Sequence, residues 1–270
     1  MSIAENLAEI RARIARAAAR VKRNPDEITL VAVSKTFPAA KIREAYAAGV
    51  RHFGENRVQE WEGKFSQVAD LDATWRLIGH LQSNKVRRAA SLFNAIDSVD
   101  SLSLAQKLDR ALTECSGGLL RFTESGGLHR SLQTGQLGMG SAAPPARLPI
   151  LIEVRLSPEV TKSGAHPDDL PALAEAILAL PHLDLRGLMT IPPLLNTPED
   201  VRPFFRRLRE LRDSLRSHLD SVDGSHLKPD TRHLIPILSM GMSHDFEVAI
   251  EEGATQVRLG TALFGERTAH

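Results

Sequence analysis

The sequence is poor in cysteine and aromatic residues, and long apolar runs are missing. Its single cysteine, Cys115, cannot form an internal disulfide and lacks the partners that a zinc site needs. No stretch reaches the ~18 consecutive apolar residues of a membrane span. Residues 1–23 alternate Ala and Leu with Glu and Arg, which is unlike the apolar core of a signal peptide. We therefore expect a soluble, cytoplasmic protein that begins with an amphipathic helix.

An excess of charge of one sign is also missing. The chain has 34 basic and 33 acidic residues, for a formal net charge of +1. Two basic runs, near Lys85 and near Arg202, lie in helical patterns beside apolar positions, which is typical of solvated helix faces. The near-equal numbers of basic and acidic residues give no excess of positive charge to bind a polyanion, so we expect no nucleic-acid partner and no membrane partner.

What the sequence does contain is a repeated alternation of strand and helix patterns. Its 270 residues, 42% of them hydrophobic, suit one large core, and about 250 residues is typical of a TIM-type barrel. Apolar, β-branched runs predict eight buried strands, at residues 28–33, 50–53, 75–78, 94–99, 149–154, 184–190, 234–240 and 255–259. Helical stripes separate them. We therefore predict an α/β fold, a single (β/α)8 TIM-type barrel with an extra N-terminal helix.

One segment interrupts this pattern. Residues 116–147 contain seven glycines followed by Pro144 and Pro145, and they show no periodicity. Such composition is typical of an insertion with too little apolar surface to pack. We treat residues 1–270 as one domain with a glycine-rich insertion at about 116–147, either a surface loop or a lid.

The predicted strand ends carry the residues with chemical potential, because barrel enzymes place their sites at the C-terminal ends of the strands. Strand 1 continues into Ser34-Lys35-Thr36. A lysine directly after a buried run either extends to solvent or is retained for chemistry, such as attack on a carbonyl.

Strands 7 and 8 end in small and hydroxyl residues. The sequence after strand 7 is SMGMS, from Ser239 to Ser243, and strand 8 continues through Arg258 to Gly260 and Thr261. Barrels often bind phosphate after these two strands, where backbone N–H groups and hydroxyls donate to the anion. For Ser243 alone, a simple helix N-cap is an equal alternative. A reactive lysine facing a phosphate cradle indicates a phosphorylated aldehyde. Pyridoxal 5′-phosphate (PLP) is the commonest, and a Schiff-base aldolase for phosphosugars is the main alternative.

The chain also resembles the PLP homeostasis protein family, known as PLP-binding protein or the proline synthetase co-transcribed homologue. The resemblance covers nearly the whole chain outside residues 116–147. The matching stretches are Leu30–Thr36 (LVAVSKT), Phe53–Asn56 (FGEN), Ile78–Lys85 (IGHLQSNK), Thr161–Gly164 (TKSG), Gly187–Pro192 (GLMTIP), Leu238–Ser243 (LSMGMS) and Val257–Gly265 (VRLGTALFG).

The resemblance implies a fold like the N-terminal domain of alanine racemase, which is fold type III of PLP proteins. It implies that Lys35 forms the imine and that Arg258 lies near the pyridine nitrogen. The residues it implies around the phosphate are Ser239, Ser243, Gly260 and Thr261.

Three further residues match family positions that line the cofactor pocket: Asn56, His80 and Met189. For His80, a hydrogen-bonded histidine at the mouth of strand 3 is an equal interpretation. Arg155 departs from the family, which usually carries Asn in this place, so we expect that pocket wall to differ.

Three functions compete: a PLP carrier without turnover, a PLP-dependent racemase-like or decarboxylase enzyme, and an aldolase without PLP. The resemblance implies that a racemase would pair the lysine with a tyrosine from a second, β-rich domain. The only tyrosine, Tyr46, lies on the apolar stripe of the helix after strand 1, and five residues follow Gly265. An arginine at Arg258 would also leave the pyridine nitrogen unprotonated. We therefore expect a monomeric carrier that buffers PLP or delivers it to apo-enzymes, with a racemase-like enzyme as the alternative.

Overall fold

A computed structural model describes residues 2–116, 147–157, 163–221 and 235–266 of the chain. Eight parallel strands pair in chain order and close into a barrel. The strands are β1 (Thr29–Val33), β2 (His52–Glu55), β3 (Thr74–Leu77), β4 (Ala95–Val99), β5 (Leu148–Glu153), β6 (Leu183–Met189), β7 (Ile237–Ser239) and β8 (Gln256–Leu259). The predicted (β/α)8 barrel is confirmed.

The helices of the described residues follow the strands around the outside. They are α1 (Ile3–Arg20), α2 (Ala39–Ala47), α3 (Val58–Phe65), α4 (Val86–Leu92), α5 (Leu102–Ser116), α6 (Leu170–Leu178), α7 (Pro198–Ser221), α8 (Phe246–Glu251) and α9 (Thr261–Phe264). Because helices cover the outer face and side chains fill the inner one, a strand such as β4 is buried at all five positions. This burial explains why the strands appear in the sequence as continuous apolar runs.

The predicted strands agree with the observed ones to within a few residues. The largest difference is at β7, where only Ile237–Ser239 pair regularly, although residues 234–240 were predicted as strand. Met240 still donates its N–H to the carbonyl of Gln256 at 3.1 Å, so the chain stays close to β8 beyond the last paired residue.

The extra N-terminal helix is confirmed as α1. Its first turn is a capping box, in which Ser2 Oγ accepts from the N–H of Glu5 at 3.2 Å and the Glu5 carboxylate accepts from the N–H of Ser2 at 2.8 Å. One face is buried, formed by Ile3, Leu7, Ile10, Ile14, Ala17 and Ala18. This face packs on α8 and α9, so α1 covers the outside of the barrel where β8 meets β1.

Tyr46 lies on α2, as the sequence predicted. Its ring is half-buried against the core, and the guanidinium of Arg51 stacks on it, with Cζ 4.1 Å from the ring centroid. The residue is therefore a packing element on the outer layer of the barrel.

Among the helices that the structure describes, none is both long and apolar enough to cross a membrane. The predicted insertion lies almost entirely outside the described residues, so the domain boundaries stay a prediction.

Candidate functional site

The structure brings the predicted site residues to one end of the barrel. Lys35 follows β1, Asn56 follows β2, His80 follows β3, Met189 ends β6, Ser239 ends β7, Ser243 follows β7, Arg258 lies in β8, and Gly260 and Thr261 follow β8. Since all strands run parallel in a closed barrel, their C-terminal ends form a single rim. The predicted residues therefore share one mouth.

Arg258 is the buried cation of this mouth. It is 3% exposed. Its Nη1 donates to Ser239 Oγ at 2.8 Å, and its Nη2 donates to the carbonyl of Thr190 at 2.8 Å. Burial lowers the pKa of Arg258 from its ordinary value, and the nearby carboxylates, Asp97 first, oppose that change. A guanidinium titrates so far above neutrality that it remains charged, so the site has a fixed positive group.

A polar network inside the barrel supports Arg258. Gln256 Nε2 donates to Ser239 Oγ at 2.8 Å and lies 2.7 Å from Asp97 Oδ2. Asp97 in turn accepts from Arg76 Nη1 at 2.9 Å. The network joins β3, β4, β7 and β8, and it holds the fully buried Ser239 against Arg258. Sequence reasoning missed it, although polar residues inside apolar strand runs, such as Asp97 in 94–99, were a visible signal.

The turns after β7 and β8 are tied together. Ser243 follows β7, and its Oγ accepts from the backbone N–H of Ala262, which follows β8, at 3.2 Å. The carbonyl of Gly241 accepts from the N–H of Arg258 at 2.9 Å. Asp245 is the N-cap residue of α8. The N-cap interpretation of Ser243 is therefore wrong, and its hydroxyl instead joins two small-residue turns on neighbouring strands.

Gly260 and Lys35 follow β8 and β1, the adjacent strands at which the barrel closes. A Cβ added at Gly260 would meet only Val33, at an ordinary 3.6 Å, so the protein itself leaves room at this position. Val33 is the last residue of β1, two residues before Lys35. Lys35 is half-buried in the turn that follows. The lysine and the β8 turn are therefore on adjacent strands of the rim.

The backbones at the ends of β2 and β3 also approach each other closely, but the side chains there make fewer hydrogen bonds within the protein. A Cβ on Gly79 would lie 2.4 Å from the carbonyl oxygen of Asn56, so this approach requires glycine. Asn56 Oδ1 is buried and has no hydrogen-bond partner among the described residues. The side chain of His80 is 54% exposed, and its Nδ1 lies 3.5 Å from Asp100 Oδ2, which is long for a hydrogen bond.

An open groove of about 710 Å³ lies on this side of the mouth. The residues that line it include Asn56, His80, Arg57 and Lys85.

Met189 is placed differently: it is fully buried and lies in register between Glu153 and Ser239. Arg155, just past β5, is half-buried and donates its N–H to the carbonyl of Ala165 at 3.0 Å. The effect of Arg155 on the pocket wall stays a prediction.

Glu153 is a second residue that sequence reasoning missed. It ends β5, on the far side of the closed strand order from β1, and is 6% exposed. Burial raises the pKa of Glu153 to about 7; the charge of Asp100 adds to the rise, and Arg258 opposes it. A carboxyl in this state can take or give a proton near neutral pH. The signal was an acid inside the apolar run 149–154.

Comparisons with known proteins agree with the fold. Residues 2–268 match the family described as alanine racemase, N-terminal domain. The pyridoxal phosphate homeostasis protein of Pseudomonas aeruginosa is 44% identical over 269 residues, which cover 98% of this chain and 96% of that protein. The protein of the same name from Aquifex aeolicus is 41% identical and covers 99% of each chain. The structure of PipY from Synechococcus elongatus with PLP bound is 37% identical, with a TM-score of 0.73, over 97% of this chain and 100% of that one.

Proposed function

We propose that this chain, which belongs to the alanine racemase N-terminal domain family and within it to the pyridoxal phosphate homeostasis proteins, binds PLP and buffers or delivers it inside the cell. The observation that carries the proposal is the single rim on which Lys35, the buried Arg258 and the tied turns after β7 and β8 meet. In this assignment Lys35 holds the cofactor as an imine.

The two tied turns fit a phosphate group. Ser243 and Ala262 hold the turns at a fixed spacing, Gly260 leaves open space, and Thr261 is exposed at the start of α9. We assign Ser243, Gly260 and Thr261 to direct phosphate contact, through hydroxyl and backbone donors. Ser239 is fully buried, and its oxygen already accepts from Gln256 and Arg258, so we assign it to holding Arg258 beneath the phosphate site.

Asn56, Met189 and Arg258 suit the ring of the cofactor. The unpartnered Asn56 Oδ1 needs a polar partner, which the ring substituents of PLP would provide. Met189 supplies a buried apolar surface. When bound, PLP supplies an aldehyde for the lysine and a ring that can accept electrons. Arg258, which remains protonated, would keep the pyridine nitrogen without a proton and so weaken that electron-accepting capacity.

We propose that the protein acts without sustained turnover and as a single chain. Racemisation needs a proton-transferring group on each face of the substrate carbon, and each such group typically contributes 10²–10⁴-fold. Lys35 provides one such group, whereas Tyr46 packs on α2 outside the barrel. All assigned cofactor contacts come from one mouth, so no second subunit is needed. Apo-enzymes that use PLP are the proposed recipients.

One observation favours a second candidate, a weak racemase-like activity. Glu153 lies across the closed strand order from Lys35, and burial holds its pKa at about 7. A group with that pKa is suited to proton transfer at neutral pH. If turnover on amino acids occurs, it should disappear in Lys35→Ala and fall strongly in Glu153→Gln.

Two measurements test the proposed function. The purified protein loaded with PLP should absorb in the visible, and borohydride reduction followed by peptide mapping should place the label on Lys35. Mixing the loaded protein with a PLP-dependent apo-enzyme should restore that enzyme's activity. Incubation with a panel of L-amino acids should leave their chiral composition unchanged, and sustained multiple turnovers would overturn the carrier assignment.

A further inference from the structure

Two side chains of α3 hold the backbone on either side of Lys35. Glu60 Oε1 accepts the backbone N–H of Thr36, the residue after Lys35. Lys64 Nζ donates to the backbone carbonyl of Ser34, the residue before it, at 3.1 Å. Glu60 and Lys64 are one helical turn apart and pair with each other at 3.1 Å. The lysine turn is therefore held at both ends by one ion pair.

A buried carboxylate anchors this pair to the barrel. Glu55 is the last residue of β2, and its side chain is 1% exposed. Its Oε1 lies 2.8 Å from Lys64 Nζ and accepts from Ser34 Oγ, also at 2.8 Å. Burial raises the pKa of Glu55, and the neighbouring ammonium of Lys64 opposes the rise. Because Glu55 belongs to a strand of the barrel, its contacts hold the lysine turn in a fixed position relative to the barrel wall.

The turn itself has a backbone conformation that needs such support. Thr36 has φ of +66°, in the left-handed region that residues with a side chain seldom occupy. Conformations of this kind persist only where the surroundings hold them, and they cluster at functional sites. The bond from the Thr36 N–H to Glu60 is one of the contacts that hold it.

We propose that Glu60 and Lys64, anchored by Glu55, are positioning residues that fix the Lys35 amine in the place where it condenses with an aldehyde. The proposal depends on the proposed imine at Lys35. In that step the neutral amine adds to the aldehyde carbon, the aldehyde oxygen leaves as water, and a C=N bond forms. A fixed turn lowers the entropic cost of bringing the two groups together.

The same geometry distinguishes Lys64 from the reactive lysine. Its three donors have three close acceptors, the Ser34 carbonyl, Glu55 and Glu60, at 3.1, 2.8 and 3.1 Å. With these contacts, the Lys64 amine is committed to holding the turn and the end of β2. Lys64 therefore supports the turn and does not carry the cofactor.

The test compares Glu60→Ala with Glu60→Gln, which keeps an oxygen that can accept from Thr36. Glu44→Ala is the matched control, because Glu44 is an exposed acid on the neighbouring α2 that pairs with Lys41. Titration of the apo forms with PLP, followed by visible absorbance, should show imine formation weakened about tenfold or more in Glu60→Ala, as expected for a lost charged hydrogen bond. Glu60→Gln should recover most of it, and Glu44→Ala should match the unsubstituted protein.

Pyridoxine 5′-phosphate has an alcohol in place of the aldehyde. Its binding distinguishes a loss of Lys35 positioning from general damage to the binding site. Glu60→Ala should bind it as tightly as the unsubstituted protein does, because only imine formation uses Lys35. Equal weakening for both ligands, or unchanged PLP affinity in Glu60→Ala, would overturn the positioning role. Should Glu60→Ala fail to fold, Lys64→Met, which keeps the apolar stem, is measured with the same two ligands. Borohydride label absent from Lys35 in the unsubstituted protein would instead refute the proposed function itself.

Discussion

The two sides of the barrel mouth differ in how fully their polar groups are engaged. On the β7 and β8 side, Ser239, Ser243 and Arg258 all have hydrogen-bond partners within the protein. On the β2 and β3 side, Asn56 has a buried oxygen without a partner among the described residues, and His80 is half exposed beside an open groove. One side is preorganised and the other is accessible. Such asymmetry suits the proposed role, in which the ligand would be held on the β7 and β8 side and released from the β2 and β3 side.

The largest expected effect comes from the residue that would join ligand to protein. Lys35→Ala should abolish the visible absorbance of the loaded protein, because no other amine is expected to form the imine. The apo form should keep its melting temperature, since Lys35 is a half-buried turn residue. Absorbance spectra and thermal melts measure the two outcomes. Borohydride label on Lys85, which lines the open side, or on Lys162 would contradict the assignment.

The engaged side should contribute most of the remaining affinity. Ser243→Ala combined with Thr261→Ala removes two proposed donors to the phosphate, and hydrogen bonds to a charged group contribute roughly 1.5–3 kcal/mol each. Ser243→Ala also removes the bond that ties the two turns. Equilibrium titration with PLP should show a loss of a few kcal/mol. Ser91→Ala, at a half-buried serine on α4 that bonds the carbonyl of Arg88, is the control, and unchanged affinity in the double variant would place the phosphate elsewhere.

The ionisation of Glu153 at the mouth should be visible in the pH dependence of the free energy of unfolding. Its pKa is raised from 4.5 to about 7, so the folded state binds the proton more tightly than the unfolded state. The corresponding stability is fully present below pH 4.5 and is lost as the pH rises through 7. The shift corresponds to roughly 3 kcal/mol.

Glu153→Gln should remove this loss and flatten the dependence of the free energy of unfolding between pH 4.5 and 7. Urea denaturation at pH values on both sides of that interval measures it. Glu9→Gln, at an exposed position on α1, should leave the dependence as it is. A Glu153→Gln profile that parallels the unsubstituted one would show that Glu153 does not titrate in this range.

The smallest effect is expected on the open side. His80→Ala should weaken PLP binding by less than about 1 kcal/mol, because exposed charged and polar contacts contribute little. The side chain is 54% exposed and makes one long contact, with Asp100. The same titration measures it. A loss as large as that of the Ser243 and Thr261 pair would show that both sides hold the ligand, and the asymmetry would then carry no functional meaning.

The sequence by itself determined the barrel and the side of it that matters. Continuous apolar runs located the eight strands, because strands buried on both faces are apolar along their length. Parallel closure places all their C-terminal ends on one rim. The position of Lys35 two residues after β1 therefore placed it at the mouth. The amphipathic stripe of α1 was equally visible, because one face of a helix at the surface must be buried.

Only the tertiary structure decided how these residues are held and ionised. Ser243 binds Ala262, 19 positions away, and Lys64 binds Ser34, 30 positions away, because the turns and helices of adjacent β/α units meet only after the barrel closes. Local pattern cannot predict such contacts, and it assigned Ser243 equally to an N-cap that Asp245 occupies. The pKa of Glu153 likewise depends on burial and on the charges of Asp100 and Arg258, which reach it from other strands and loops of the barrel.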